Sequence, residues 1–202
     1  MNKTAIGISL SFLLVLLVAS CSDRGQESAT EAAKQLLTKE ELGGYAHGLE
    51  VGDMRFLWKA QQESIDIKLA AKTTGWVGIG FNPDMSEDMK GANFIIGYVK
   101  DGKAEAFDHY GIMEGKHRED EKIGGTADFS DLSGSETNGT TELAFSLPLD
   151  TRDSVDTVLN LASENTVLLA YGRSDSIVLK HRFRAVLRVN LSTGEQRVIK
   201  IK

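Results

Sequence analysis

The strongest constraint on the fold of this chain is an alternation of apolar and polar residues with a period of two. From residue 65 to residue 71 every second side chain points to one apolar face, and Asp66 and Lys68 stand between the large apolar residues. The same period returns at residues 143–147 and 185–191. Alternation of this kind is typical of half-buried β-strands, so it predicts strands at all three places.

Two further segments are apolar almost without interruption, at residues 94–99 and 167–171. Such runs are typical of central strands that are covered on both faces. Asp101 and Gly102 favour the positive φ angles of a two-residue hairpin turn, and a last strand is predicted at 197–201. Eight to ten short strands at this spacing predict an all-β fold, an antiparallel β-sandwich.

The N-terminus has the pattern of an export signal. Lys3 precedes an apolar run at 5–19, which is shorter than the roughly 18 residues that span a bilayer. The run ends in Val18-Ala19-Ser20-Cys21, which resembles a bacterial lipobox and so implies cleavage before Cys21 and acylation of that residue. Several acyl chains would hold the protein stably on a membrane. An uncleaved signal anchor is the alternative.

This N-terminus divides the chain into a signal peptide (1–20), a lipidated cysteine with its tether (21–44) and a β-domain (45–202). Ser22 follows the cysteine in place of an aspartate, which favours attachment to the outer membrane of the bacterial cell envelope. A capping-box pattern at Ser28 and Glu31 predicts a short helix from about Ala29 to Leu42, although an exposed tether remains open.

Composition excludes several classes of function. Cys21 is the only cysteine, so its use for lipid leaves no disulfide, thiolate metal site or cysteine nucleophile. Without the signal, 22 basic residues face 29 acidic ones, and a net charge of −7 argues against nucleic acid. The motifs of common hydrolases and nucleotide sites are missing. Residues 82–93 lack the glycine and glutamate of an EF-hand loop.

Four sequence blocks come in an order that resembles one family. They are GWVGIGF at 75–81, MKGAN at 89–93, DHY at 108–110 and KH at 180–181. Together they resemble the DOMON family over residues 54–191. The resemblance implies an immunoglobulin-like sandwich, and its better-known members hold a b-type haem between a methionine and a histidine.

The resemblance also assigns the two axial ligands. Met89 corresponds to the methionine of the family's M-x-G-A-D pattern, and Met85 is the substitute if the loop aligns differently. His181 corresponds to the late histidine that supplies the second ligand. A thioether favours ferrous iron and raises the potential, and a neutral imidazole is a common iron donor.

Other side chains are candidates for the walls and the rim of the haem pocket. The aromatic candidates are Trp76, Phe81, Phe94, Tyr98 and Tyr171. Their alternative role is ordinary core packing. Arg173, Lys180 and Arg182 are candidates for pairing with the propionates, and the alternative for each is a solvated position at the rim.

The chain departs from the family pattern at two positions. Asn93 stands where an acidic residue is usual, and Lys180 precedes His181 where many relatives have a histidine pair. His109 belongs to the DHY strand block, and His117 lies in a charged run, 116–122, that is typical of a solvated loop. No C-x-x-C-H motif is present, so covalent haem attachment is excluded.

The sequence therefore predicts an exported, lipid-anchored DOMON protein that binds haem b and passes single electrons to a redox partner protein. With both axial positions of the iron filled, electron transfer is favoured over catalysis, so the protein is not expected to be an enzyme. The alternatives are a module that binds a sugar or another small ligand, as some DOMON domains are thought to do, and a ligand-free interaction domain.

Overall fold

The computed structural model describes residues 37–84 and 89–202. In these ranges the chain forms twelve β-strands and one 3-10 helix, Asp120–Lys122. The strands are β1 (His47–Val51), β2 (Met54–Ala60), β3 (Ser64–Ala71), β4 (Val77–Phe81), β5 (Asn93–Lys100), β6 (Lys103–Met113), β7 (Lys116–Glu119), β8 (Ser130–Thr137), β9 (Thr140–Pro148), β10 (Glu164–Tyr171), β11 (Phe183–Asn190) and β12 (Gln196–Ile201).

The strands form two antiparallel sheets that pack face to face. The five-stranded sheet has the order β1-β2-β3-β9-β8, and the seven-stranded sheet has the order β12-β11-β10-β4-β5-β6-β7. The long connection from β9 to β10 carries the chain from the first sheet to the second. The predicted all-β antiparallel sandwich is thereby confirmed.

The alternation in the sequence places one face of each strand in the core between the sheets. In β3 the buried residues are every second one, and Ile65, Ile67 and Leu69 are fully buried. Strand β9 shows the same pattern with Leu143 and Phe145. Burial of apolar surface on both inner faces is the main force that holds the two sheets together.

The centre of the seven-stranded sheet is buried on its outer face as well. All five residues of β4 are buried, and it lies between β5 and β10, the two strands predicted from continuous apolar runs. The large side chains of β4, such as Ile79 and Phe81, belong to the core between the sheets. Gly78 and Gly80 therefore face outwards, because side chains alternate along a strand.

The predicted hairpin turn between β5 and β6 is confirmed. Asp101 has a φ angle of 52° and Gly102 has one of 75°. Both values lie in the left-handed region that a two-residue turn of this type requires.

Two local predictions need correction. Within the predicted helix at 29–42, only residues 37–42 are described, and positions 39–44 form turns that end at Gly43 and Gly44, both with positive φ. The charged run at 116–122 is not a solvated loop, because it forms the edge strand β7 and the 3-10 helix. Its exposed and half-buried residues alternate, as expected of an edge strand whose outer side meets water.

The predicted signal peptide and Cys21 lie outside the described residues. In the part of the chain that the structure describes, no helix is long and apolar enough to cross a membrane.

Candidate functional site

A second apolar cluster covers the outer face of the seven-stranded sheet. We call it the outer cluster, and its buried members are Trp76, Ala92, Phe94 and Ile96. Its rings lie across the bare backbone of β4, because a Cβ atom on Gly80 would come within 2.3 Å of the Phe94 ring. The outer cluster has no role in joining the two sheets, because it lies on the other face of the seven-stranded sheet from the core.

Met89 packs against the outer cluster at the end where β4 stops and β5 begins. Its position is fixed by the backbone, since Met89 O accepts a hydrogen bond from Ala92 N at 3.1 Å. Gly91 N donates a further hydrogen bond to Gly111 O at 2.8 Å. A Cβ atom on Gly111 would lie 1.7 Å from Met89 O, so glycine is required for β6 to pass beneath this loop.

The opposite end of the outer cluster is closed by the segment between β10 and β11. Trp76 N donates to Ser174 O at 3.1 Å, and Gly172 N donates to Trp76 O at 2.9 Å. Ile177 from the same segment packs against the outer cluster. The indole Nε1 of Trp76 is buried and has no hydrogen-bond partner among the described residues. An unpaired donor in an apolar site is costly unless a ligand or water accepts from it.

His181 lies at the end of this segment, two residues before β11 begins. It is half-buried, and burial, with the positive charges of Arg184 and Lys180, lowers the pKa of its imidazole. Arg182 N donates to Tyr171 O at 2.8 Å, which ties the chain beside His181 to the end of β10. The imidazole is therefore neutral near pH 7, which is the form that donates a lone pair to iron.

The two ligands predicted from the sequence come next to strands that pair with opposite ends of β4. Met89 precedes the start of β5, which pairs with Phe81 at the end of β4. His181 precedes the start of β11, which pairs with Tyr171, and Tyr171 pairs with Val77 at the start of β4. The outer cluster lies between these two points.

The predicted wall residues separate into two groups. Trp76 and Phe94 belong to the outer cluster, and Tyr98 packs against it. Phe81 and Tyr171 instead lie in the core between the sheets, where Tyr171 stacks on Phe183 at 5.3 Å. Phe81 and Tyr171 therefore take the alternative role given for them, ordinary core packing. The sequence does not show which face of its strand each of these residues takes.

The predicted rim residues are exposed. Arg173, Lys180 and Arg182 all lie on the segment that joins β10 to β11 and all face solvent. Met85, the substitute methionine, lies outside the described residues. The structure thus brings one methionine and three aromatic residues together at the outer cluster. His181 follows the segment that contributes Ile177 to this cluster.

A histidine pair beside the outer cluster was not anticipated. The Nδ1 atoms of His109 and His117 lie 2.8 Å apart, so one ring donates and the other accepts. Burial lowers the pKa of both rings, that of His109 to about 4 with a contribution from His117, so both are neutral. The His117 ring lies 5.9 Å from that of Phe94. In the sequence, Gly115 indicates a tight turn, and this turn folds β7 back on β6 and brings the two histidines together.

Comparison with known proteins decides the family. The model of the DOMON domain matches residues 50–172, which is more than half of the chain. The chain belongs to the DOMON family. This confirms the family assigned from the four sequence blocks.

Two individual proteins resemble parts of this DOMON chain. The protein "MOXD1 homolog 2" of Drosophila melanogaster is 31% identical over 108 residues, which cover 53% of this chain and 14% of that protein. The chain therefore spans about a seventh of this relative. The crystal structure of the cytochrome b domain of pyranose dehydrogenase from Coprinopsis cinerea superposes with a TM-score of 0.49 at 11% identity, covering 70% of this chain and 77% of that one.

Proposed function

We propose that this DOMON protein binds b-type haem on the outer face of its seven-stranded sheet, with Met89 and His181 as the axial ligands. The observation that carries the proposal is the position of Met89, whose side chain packs against an apolar cluster outside the core of the sandwich. The segment that leads to His181 covers the other end of the same cluster through Ile177.

The residues of the outer cluster fit a haem group. A haem needs apolar surface for its ring and polar partners for its propionates. The outer cluster offers the apolar side chains of Phe94 and Ile96, which lie over Gly80 and Gly78 of β4. The unpaired Nε1 of Trp76 is a buried donor suited to a carboxylate oxygen.

The ligand pair favours electron transfer over catalysis. Bound haem supplies an iron that exchanges one electron between its ferric and ferrous forms. The thioether of Met89 favours the ferrous form, and the lowered pKa of His181 keeps its lone pair available. Because both axial positions are taken, no site is open for substrate or oxygen. We therefore propose an electron carrier that serves a partner protein, and not an enzyme.

We propose further that the carrier works in the bacterial cell envelope. The support is in the sequence, where an apolar run ends at Cys21 with the spacing of a lipobox. Acylation there would attach the β-domain to a membrane surface, and Ser22 favours the outer membrane. An anchored carrier meets its redox partner by diffusion in two dimensions.

The experiment that tests the proposed function is visible absorbance of the purified full chain supplied with excess haem. We expect a Soret band and, after reduction, the sharp bands of six-coordinate low-spin haem b that do not change under carbon monoxide. The absence of a Soret band would reject haem binding. If a glycan array then identifies a sugar ligand, the sugar-binding alternative takes its place.

A further inference from the structure

The end of the sandwich next to the Met89 loop holds a group of buried carboxylates. Asp108 from β6, Asp128 from the loop before β8 and Asp156 from the connection between β9 and β10 each offer an oxygen, and these oxygens lie within 4.8 Å of one another. Asp120 of the 3-10 helix is fully buried beside Asp156. The group lies on the inner side of the sheet, opposite the outer cluster.

Four of the eight carboxylate oxygens in this group lack a hydrogen-bond donor among the described residues. Among the described residues, neither carboxylate oxygen of Asp120 has a partner, and the same is true of Oδ1 of Asp108 and Oδ2 of Asp156. Asp120 is 0% exposed and Asp108 is 4% exposed, so water does not solvate them freely. Buried acceptors of this kind are strongly unfavourable without a compensating partner.

Asn93 adds a neutral oxygen to the same group. Its Nδ2 donates to Oδ1 of Asp156, while its own Oδ1 is buried and unpaired. Asn93 is 3% exposed and lies at the start of β5, four residues after Met89. The amide therefore contacts the carboxylates through its nitrogen, and the carbonyl oxygen on the same carbon is a further buried oxygen next to them.

The salt bridges in the described part of the chain involve other acidic residues, such as Glu50, Glu142 and Glu164. None of them places a basic side chain beside the four aspartates to offset their negative charge. Only an added positive charge makes several ionised carboxylates stable at this position.

We propose that Asp108, Asp120, Asp128 and Asp156, together with Oδ1 of Asn93, bind a calcium ion. The donors are all oxygen, which suits a hard cation and not zinc or copper. Two oxygens bound to one calcium ion at about 2.3–2.6 Å are at most about 5 Å apart, which matches the three clustered carboxylates. Calcium accepts irregular geometry from loops, whereas magnesium requires a near-ideal octahedron with several waters.

The bound ion would join four parts of the chain that are distant in sequence. These are β6, the 3-10 helix, the loop before β8 and the long connection that ends at β10. Through Asn93 it would also fix the start of β5, and with it the backbone that holds Met89. None of the proposed calcium ligands is a proposed haem ligand, so calcium binding can be measured on protein without haem.

The test is calcium binding by the full chain after removal of metal ions with a chelator. Titration calorimetry with calcium chloride should give one site, and calcium at about 100 times its dissociation constant should raise the melting temperature by about 5–10 °C. Magnesium chloride should give a smaller rise. Heat and melting temperature that do not change on adding calcium would overturn the proposal, and tighter binding of magnesium would overturn the choice of ion.

Two variants and one control locate the site. Asp120→Asn should abolish the calcium-induced rise in melting temperature. Asp128→Asn, at a less buried position, should weaken calcium binding at least tenfold, and it tests the site if Asp120→Asn does not fold. Asp101→Asn is the control, because it removes one carboxylate from a distant turn whose positive φ asparagine also tolerates. Calcium affinity that survives both Asp120→Asn and Asp128→Asn at the control's level would place the ion elsewhere and reject the assignment.

Discussion

Asp108 and His109 are neighbours in β6 whose side chains lie on opposite faces of the seven-stranded sheet. Asp108 belongs to the carboxylate group at the inner end of the sandwich, while His109 pairs with His117 beside the outer cluster. One strand therefore lies between the carboxylate group and the histidine pair. Because the two groups lie on opposite faces, variants can be designed for each one separately.

The first prediction concerns the methionine ligand. Met89→Ala should retain haem, lower the reduction potential and open a coordination position to carbon monoxide, because the thioether that favours ferrous iron is lost. Redox titration and a carbon monoxide difference spectrum measure both effects. Met113→Ala is the matched control, since Met113 is 48% exposed at the end of β6. A Met89→Ala protein with the wild-type potential would exclude this residue as a ligand.

The second prediction concerns the histidine ligand. His181→Ala should reduce haem affinity at least tenfold, because loss of a direct donor exceeds the roughly 10–100-fold cost of changing residues around one. Haem titration followed at the Soret band measures the affinity. His47→Ala is the control, as His47 bonds to Ser192 O from the other sheet. Equal affinities for the two variants would reject His181.

The third prediction concerns the bare surface of β4. Gly80→Ala should destabilise the fold by about 1–3 kcal/mol, because the new methyl group would lie 2.3 Å from the Phe94 ring and force it to move. Gly78→Ala on the same face approaches Ile96 only to 3.2 Å and should stay within about 1 kcal/mol of wild type. Urea unfolding of both variants measures the difference, and equal losses would contradict the argument.

The fourth prediction concerns pH and applies to the protein free of divalent cations. The pKa of Asp108 is raised from 3.8 to about 8, so the folded state keeps a proton that the unfolded state has already released at pH 7. Stability should therefore fall as the pH rises from 7 to 8, by about 1 kcal/mol per unit for each retained proton. The histidines with lowered pKa add stability as the pH rises, but mainly below pH 7, so they oppose the trend only weakly.

Chemical unfolding at pH 7 and pH 8 in the presence of a chelator checks the pH prediction. Asp108→Asn removes the retained proton, so its stability should depend less on pH than that of wild type. A wild-type protein that becomes more stable over this interval would show that the carboxylates are already ionised in the folded state.

The fifth prediction concerns the anchor. Cys21→Ser should stop the incorporation of a labelled fatty acid, because the thiol that accepts the lipid is lost. Metabolic labelling followed by fractionation of the envelope measures it, with Ser22→Ala as the control that keeps the thiol. Fatty acid that continues to enter the Cys21→Ser protein would reject the lipobox assignment.

The sequence predicts where the strands lie better than it predicts which face of the sheet each residue takes. Alternation at 65–71 locates β3, and the Asp101-Gly102 turn locates the hairpin of β5 and β6. Within a continuous apolar run, however, nothing distinguishes inward from outward residues. Phe94 and Ile95 are adjacent and both apolar, yet they belong to different clusters.

The carboxylate group was beyond sequence reasoning for a different reason. Its members are spread from Asn93 to Asp156, and each one alone resembles an ordinary surface acid. Only the pairing of β5 with β6 and the return of the long connection bring Asn93, Asp108 and Asp156 together. Contacts between residues so distant in sequence depend on the topology and have no local pattern.

The division of apolar residues into two clusters has a consequence for how the protein matures. The core between the sheets includes Phe81 and Tyr171 and is complete without any residue of the outer cluster. The sandwich can therefore fold around its inner core before anything binds at the outer cluster. If the outer cluster is the proposed haem site, protein made without haem would already be folded and would bind the cofactor when it is added.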